Sequence, residues 1–331
     1  MTSLKGVSVL VTGAGGFIGS HLVQRLLNEG AAVRAFLRYN SRNDRGALEW
    51  LPAEQRSQIE YVVGDLKDGE AVRQAVKGCQ VVFHLAALIA IPYSYINPLD
   101  FVQTNVLGTA HVLAACREAG VARLIHTSTS EVYGTARYTP IDEEHPLQGQ
   151  SPYSASKIAA DKLVEAYVRS FGLPAVTVRP FNTYGPRQSA RAVIPTVIVQ
   201  ALTQPEVRLG SLEPTRDLNY VADTCDGFVR AALAGPEVIG EVINLGQGRE
   251  ISVGELARRI IALVGRGQPI VTDPARVRPS NSEVYRLVAD NRKAARLLGW
   301  QPRTSLDEGL RATIEDVAAH LDRYKADIYN V

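Results

Sequence analysis

Short apolar runs and helical stripes alternate along the first half of the chain. Val7–Thr12 reads as a buried parallel strand. Phe17–Asn28 follows as a helix, with Ile18, Leu22 and Leu26 on one face and Gly30 as its stop. Further strands are predicted at Val33–Leu37, Ile59–Val63, Val81–Leu85, Leu124–Thr127 and Ala175–Arg179. Helical stretches fall between them, near Gly69–Lys77, Phe101–Ala119 and Ser154–Phe171. This alternation predicts an α/β fold with a doubly wound parallel sheet.

After Pro180 the pattern loosens. Pro186, Pro195, Pro205 and Pro214 punctuate longer loops, and helices are predicted at Val193–Leu202, Ala222–Ala234, Val253–Val264 and Leu306–Asp322. The division expected is a sheet domain over residues 1–180 and a smaller mixed α/β lobe over residues 181–331. Val242–Leu245 is read as a late strand returning to the main sheet. With 331 residues, 46% of them hydrophobic, the chain can bury a large core. Its 36 Lys and Arg nearly balance 34 Asp and Glu, which argues against nucleic-acid or membrane-surface binding. Cys79, Cys116 and Cys225 are scattered and odd in number, so neither a disulfide framework nor a metal site is expected, and a cytoplasmic setting fits. No signal peptide or membrane span is read from the sequence.

Candidate chemistry begins right after the first strand. Gly13, Gly16 and Gly19 give the spacing GxxGxxG, with Phe17 and Ile18 opening the helix. Small residues let the backbone approach a pyrophosphate, and the helix N-terminus presents free N–H groups. Strand, turn and helix together predict a Rossmann-like dinucleotide site. The second strand ends without the acid that would bond the ribose 2′-OH of NAD. Arg38, Ser41 and Arg42 stand there instead and point toward NADP over NAD. Asp65, after the third strand, is placed to meet the adenine amine or to hold a turn.

Tyr153 and Lys157 are four apart on one helical face. An ammonium beside a phenol stabilises tyrosinate, which can take a hydroxyl proton while hydride goes to a nicotinamide. Thr127-Ser128-Thr129-Ser130-Glu131 lies at the carboxyl end of the fifth strand, where open α/β sheets bind ligands. If Glu131 faces the pocket, the reaction includes a proton transfer beyond oxidation. If it caps the turn, that inference fails.

With these residues the chain resembles an extended short-chain dehydrogenase/reductase of the NAD-dependent epimerase/dehydratase family, nearly end to end. The resemblance includes His84-Leu85-Ala86-Ala87, Thr104-Asn105-Val106, Arg179-Pro180-Phe181-Asn182 and Arg216-Asp217. It implies further cofactor contacts at Leu66, Leu85, Ala86, Ala87, Asn105, Thr127 and Pro180, besides Tyr153 and Lys157. It implies a nucleotide-sugar substrate met by Thr129, Asn182, Arg187, Arg216 and Arg278. Thr129-Ser130-Glu131 resembles the triad of GDP-mannose 4,6-dehydratases; UDP-xylose synthases carry it too. The dTDP-glucose type has Asp where Ser130 stands, which leaves the acid for the departing water open. Ile91–Tyr95, Thr127–Thr135, Pro146–Tyr153 and Gln188–Pro195 resemble 4,6-dehydratases that open legionaminic-acid-type pathways and act on nucleotide-linked N-acetylglucosamine.

The resemblance implies a UDP- or GDP-N-acetylglucosamine 4,6-dehydratase in which Tyr153, Lys157, Thr129, Ser130 and Glu131 carry the chemistry. The rivals are a 4-epimerase, a UDP-glucuronate decarboxylase and a dinucleotide-binding sensor or scaffold. A homodimer through Phe101–Ala119 and Ser154–Phe171 is expected by analogy.

Overall fold

The computed structural model describes residues 2–277 and 280–324. Seven strands form one parallel sheet in the order Val242–Leu245, Ala175–Pro180, Arg123–Thr127, Val81–His84, Ser8–Thr12, Ala32–Arg38, Glu60–Gly64. Chain direction across the sheet switches between the first strand (Ser8–Thr12) and the fourth (Val81–His84), which is where ligands bind in such sheets. The strands are apolar on both faces because helices cover both. On one face Phe17–Asn28 and Val221–Leu233 bury Leu22, Leu26 and Phe228 against the sheet. On the other, Gly69–Val76, Gly108–Ala119 and Pro152–Phe171 bury Val72, Leu113, Cys116 and Val164.

Two elements differ from the sequence reading in ways that matter for the site. The helix expected from Ser154 begins at Pro152, because Ser151 and Ser154 cap each other's backbone and Pro152 fits the first turn. Phe101–Ala119 is not one regular helix. A short helix over Pro98–Phe101 passes into a wide π turn at Val102–Leu107 before Gly108–Ala119. Such wide turns mark places where a side chain must be re-aimed, and here Asn105 lies buried within it.

Beyond residue 180 the chain serves both parts of the molecule. Val242–Leu245 pairs in parallel with Ala175–Pro180 as the sheet's edge, and Trp300 joins the sheet's core. A second core gathers Val193–Thr203, Val253–Val264 and Leu306–Ala319 around Val197, Ile260 and Leu310. Three pairs of strands of two or three residues each tie the loops there. They are too short for the alternation that marks a strand.

Candidate active site

The glycine turn is closed to side chains. Gly13 has φ +70°, and a Cβ there would lie 2.8 Å from the Ala86 nitrogen. A Cβ on Gly19 would collide with the Gly13 carbonyl oxygen. No side chain caps the helix that follows, and no acid sits in its first turn. The leading N–H groups at Phe17, Ile18 and Gly19 therefore face an anion-binding position. The Thr127 hydroxyl, buried with no partner among the described residues, adds an unmet polar atom at the sheet's carboxyl end. These features fit a dinucleotide.

The loop after the second strand folds back onto this turn, with the Ala47 N–H donating to the Gly15 carbonyl (2.8 Å). Asn40 fastens the loop by accepting from the N–H groups of Arg42 (3.1 Å) and Asp44 (3.0 Å). Arg38, Ser41 and Arg42 are left exposed. Asp65 accepts from the Lys67 N–H (2.9 Å), so one of its oxygens holds a turn. Leu66 is buried, and its carbonyl accepts from His111 (2.8 Å).

His84 is locked by its neighbours. Thr109 donates to the Asn105 carbonyl (2.6 Å), so it accepts from His84 Nε2–H (3.1 Å). His84 Nδ1 then accepts from Thr12 (2.8 Å), whose hydroxyl in turn receives the Ala86 N–H (3.1 Å). Leu85 closes the same bend through the Thr12 carbonyl (3.3 Å), and Ala87 lies half-buried beside it. Asn105 accepts from the Leu88 N–H (2.8 Å) and donates to the Leu88 carbonyl and to Ser156 (both 2.9 Å). The π turn thus aims one amide at both the cofactor-side loop and the helix of Tyr153. Pro180 is buried at the end of the sixth strand.

Tyr153 and Lys157 lie on the buried face of Pro152–Phe171. Phe101 packs edge-on to the Tyr153 ring at 6.3 Å. Burial pushes the phenol up, a hydrogen bond with Thr129 pulls it down, and the Glu131 and Asp161 charges push it up again. Lys157 is brought down to about 8 by burial, against the pull of Asp161. Its ammonium donates to the Thr127 carbonyl (2.7 Å). The turn Ser130–Tyr133 is capped by Thr129, which accepts from the Glu131 N–H (3.2 Å). Capping therefore falls to Thr129. The Glu131 carboxylate is half-buried and close enough to be felt by Tyr153. Ser130 is buried between them in sequence.

A cleft of about 270 Å³ opens beside the second lobe, lined by Asn182, Gln188, Arg191, Arg216, Arg276 and Glu283, among others. Asn182 Oδ1 is buried there with no partner among the described residues. Arg216 donates to the carbonyls of Val284 (2.7 Å) and Thr215 (2.9 Å) and meets Glu283 at 3.3 Å. Arg187 is not brought to this cleft. Its guanidinium reaches back to Gln24 (2.6 Å) and Ser20 (3.4 Å) on the first helix, while its N–H donates to Asp316 (2.9 Å). Arg278 lies outside the described residues. Arg191 lies in the Gln188–Pro195 stretch of the resemblance, whereas no spacing in the sequence points to Arg276 or Glu283.

Asp161, one turn beyond Lys157, was also missed. It accepts from Ser128 (2.8 Å), His126 (3.1 Å) and both Arg179 Nε (3.2 Å) and a terminal nitrogen (2.9 Å). Arg179 reaches on to Tyr133 (2.9 Å), which donates to Asn244 (2.8 Å) on the sheet's edge strand. The available signal was a charged residue, Arg179, inside an apolar strand.

The profile of the family described as GDP-mannose 4,6 dehydratase matches residues 10–313. The chain belongs to this family. The family's wider circle of nucleotide-sugar 4,6-dehydratases and epimerases is seen in its relatives. A UDP-glucose 4-epimerase of Mycolicibacterium smegmatis is 36% identical over 313 residues, covering 92% of this chain and 97% of the relative. The dTDP-glucose 4,6-dehydratase DesIV of Streptomyces venezuelae, solved with NAD bound, is 30% identical with TM-score 0.86, covering 96% and 99%. TunA, an NAD-dependent NDP-hexosamine 5,6-dehydratase of tunicamycin biosynthesis, is 29% identical with TM-score 0.83, covering 95% and 98%. Members of this family share the sheet and flanking helices described above, and among the described residues no cluster of His, Cys, Asp or Glu could hold a metal.

Proposed function

We propose that the chain is a nucleotide-sugar 4,6-dehydratase converting UDP- or GDP-linked N-acetylglucosamine to its 4-keto-6-deoxy form. The observation that carries this reading is Glu131, a half-buried carboxylate beside Tyr153 that is not used to cap its own turn. A simple 4-epimerase needs Tyr153 and Lys157 but no base at C5.

The glycine turn, Thr127 and Lys157 would hold the dinucleotide, which when bound accepts hydride from C4 and returns it at C6. Tyr153 takes the 4-OH proton, and Thr129, bonded to the same phenol, orients that oxygen. The Lys157 cation favours tyrosinate. The C4 ketone acidifies C5–H, Glu131 removes that proton, and the C6 hydroxyl departs as water. Ser130 relays the proton to it, or Glu131 delivers it. C6 gains hydride and C5 regains a proton, so the sugar loses one water and the cofactor is unchanged. In the cleft, Arg216 and Asn182 would meet the nucleotide's diphosphate, with Arg278 assigned by resemblance alone.

The same reading prefers NADP, because Arg38, Ser41 and Arg42 are exposed beside the glycine turn. A homodimer is proposed because the segment before and within Phe101–Ala119 exposes Ile96 (72%), Leu99 (71%) and Leu107 (52%), with Phe171 exposed at the end of its neighbour helix. We place the protein in the cytoplasm from its three free cysteines. Among the described residues no helix is long and apolar enough to cross a membrane.

Incubation with UDP- and GDP-N-acetylglucosamine, read by mass spectrometry, tests the reading. Loss of one water is expected. An unchanged mass with a new sugar would make it an epimerase. Carbon dioxide released only from UDP-glucuronate would make it a decarboxylase. Cofactor binding without any turnover would make it a sensor or scaffold.

A further inference from the structure

We propose that Asp161 is a positioning residue. It is the counter-ion that keeps Lys157 an ammonium and pins the end of the fifth strand on which Thr127 and Thr129 are presented. The proposal rests on the reading of Tyr153 and Lys157 as the proton-handling pair.

The geometry is a clamp. Asp161 follows Lys157 by one helical turn, so the two side chains share a face. Lys157 holds the Thr127 carbonyl (2.7 Å), and Asp161 holds the Ser128 hydroxyl (2.8 Å) and His126 Nε2 (3.1 Å). Three consecutive residues at the strand's end, His126, Thr127 and Ser128, are thus gripped by two residues of one helix. His126 must donate through Nε2, since a carboxylate can only accept. Its Nδ1 is then a buried acceptor with no partner among the described residues.

The charges agree. The groups facing this pair are His126 and Arg179 from the fifth and sixth strands, His84 from the fourth, Tyr133 from the turn, and Tyr153 from the same helix. Burial keeps both histidines neutral, and the two tyrosines are held high. What remains is two cations, Lys157 and Arg179, around one carboxylate. Burial opposes the Asp161 charge, but the His126 hydrogen bond and the Arg179 and Lys157 cations bring it to about 2. Lys157 and Arg179 share that carboxylate; without it Lys157 loses the charge that opposes its burial, and of the two cations it is the one that can shed its proton.

The test reads Lys157 directly. In cofactor-free protein labelled at lysine Cε, the resonance missing from Lys157→Arg reports the titration, expected near pH 8. Asp161→Asn is expected to move that midpoint down by about one pH unit or more, and Arg179→Met to move it up. Asp161→Glu, keeping the charge, is expected to leave it near the unaltered protein. An unmoved midpoint in Asp161→Asn, or Asn and Met variants moving the same way, overturns the proposal. Should Asp161→Asn not fold, Arg179→Met carries the test: an unmoved or lowered midpoint overturns it. The alkaline limb of kcat/KM should follow the same shifts. If the resonance moves and the limb does not, the role assigned to Lys157 in turnover fails while the pairing stands.

Discussion

The glycine turn, proposed as the dinucleotide site, presents only backbone: Gly13 and Gly19 exclude side chains, and the helix that follows offers bare N–H groups. The cleft beside the second lobe, proposed for the nucleotide sugar, is instead lined by side chains from distant segments. Asn182 comes from a strand of three residues, Arg216 from one of two, and Glu283 from a stretch some seventy residues later. A backbone site is dictated by a local pattern. A side-chain site depends on how loops far apart in sequence are fastened together. Buried carboxylates do such fastening: Asp217, which stands beside Arg216 in the resemblance, ties the cleft loops, and Asp161, which no local pattern marks, ties the fifth strand.

The sharpest way to break this contrast is to give the backbone site a side chain. Gly19→Val is expected to abolish dinucleotide binding, because the branched Cβ must displace the Gly13 carbonyl and with it the turn. Fluorescence titration with NADP and NAD checks it; binding at unaltered affinity would mean that the turn is not the pyrophosphate site. Next in size is Glu131→Gln, which keeps shape and removes the base. Elimination should fall by roughly 10²–10⁴-fold, with cofactor and nucleotide-sugar affinities retained in calorimetry. Normal turnover would remove Glu131 from the mechanism and leave the cleft to bind for another purpose.

The difference in legibility has the same origin. The sheet, the glycine turn and the Tyr153–Lys157 pair could be read because each is a contiguous pattern with a fixed period. The π turn at Val102–Leu107 could not, since its cause is a tertiary one, the grip of Asn105 on Leu88 and Ser156. The family resemblance assigns Arg187 to the substrate. Its φ of +65° and its bonds to Gln24 and Asp316 make it a joint between the first helix and the second lobe. Glu283 and Asp161 carried no local signal, because their partners lie on other elements.

Asp217 offers a smaller effect on the cleft side. Its carboxylate receives the N–H groups of Gln247 (2.7 Å), Gly248 (2.9 Å) and Ala289 (3.0 Å), so it ties the loop after the edge strand to the segment that carries Glu283. Burial raises it to about 6 despite those bonds. The folded state therefore binds a proton more tightly than the unfolded chain, whose aspartate titrates near 3.9. Stability from this group is greatest below about pH 4 and falls as pH rises toward 6, by roughly 3 kcal/mol at most, then stays level. The stability difference between the unaltered protein and Asp217→Asn, from urea unfolding at several pH values, should decline across that window. A flat difference, or one that grows, would show that the carboxylate is not buried as described.

The smallest effect returns to the first region, at the one place where it too relies on side chains. Arg42 stands exposed on a loop that Asn40 holds from within; Asn40 accepts its N–H, and its exposed guanidinium can meet solvent or a ligand. An exposed cation meeting a dianionic 2′-phosphate is worth on the order of 1 kcal/mol, because water and salt screen it. Arg42→Ala should thus weaken NADP about five- to tenfold while leaving NAD unchanged, and the gap should narrow as salt is raised. If both cofactors weaken together, Arg42 serves the adenosine they share. If neither does, the cofactor choice lies with Arg38 and Ser41, or the site takes NAD as DesIV does. Either outcome would leave the glycine turn intact and move only the side-chain part of its reading, which is the part that the cofactor half shares with the cleft.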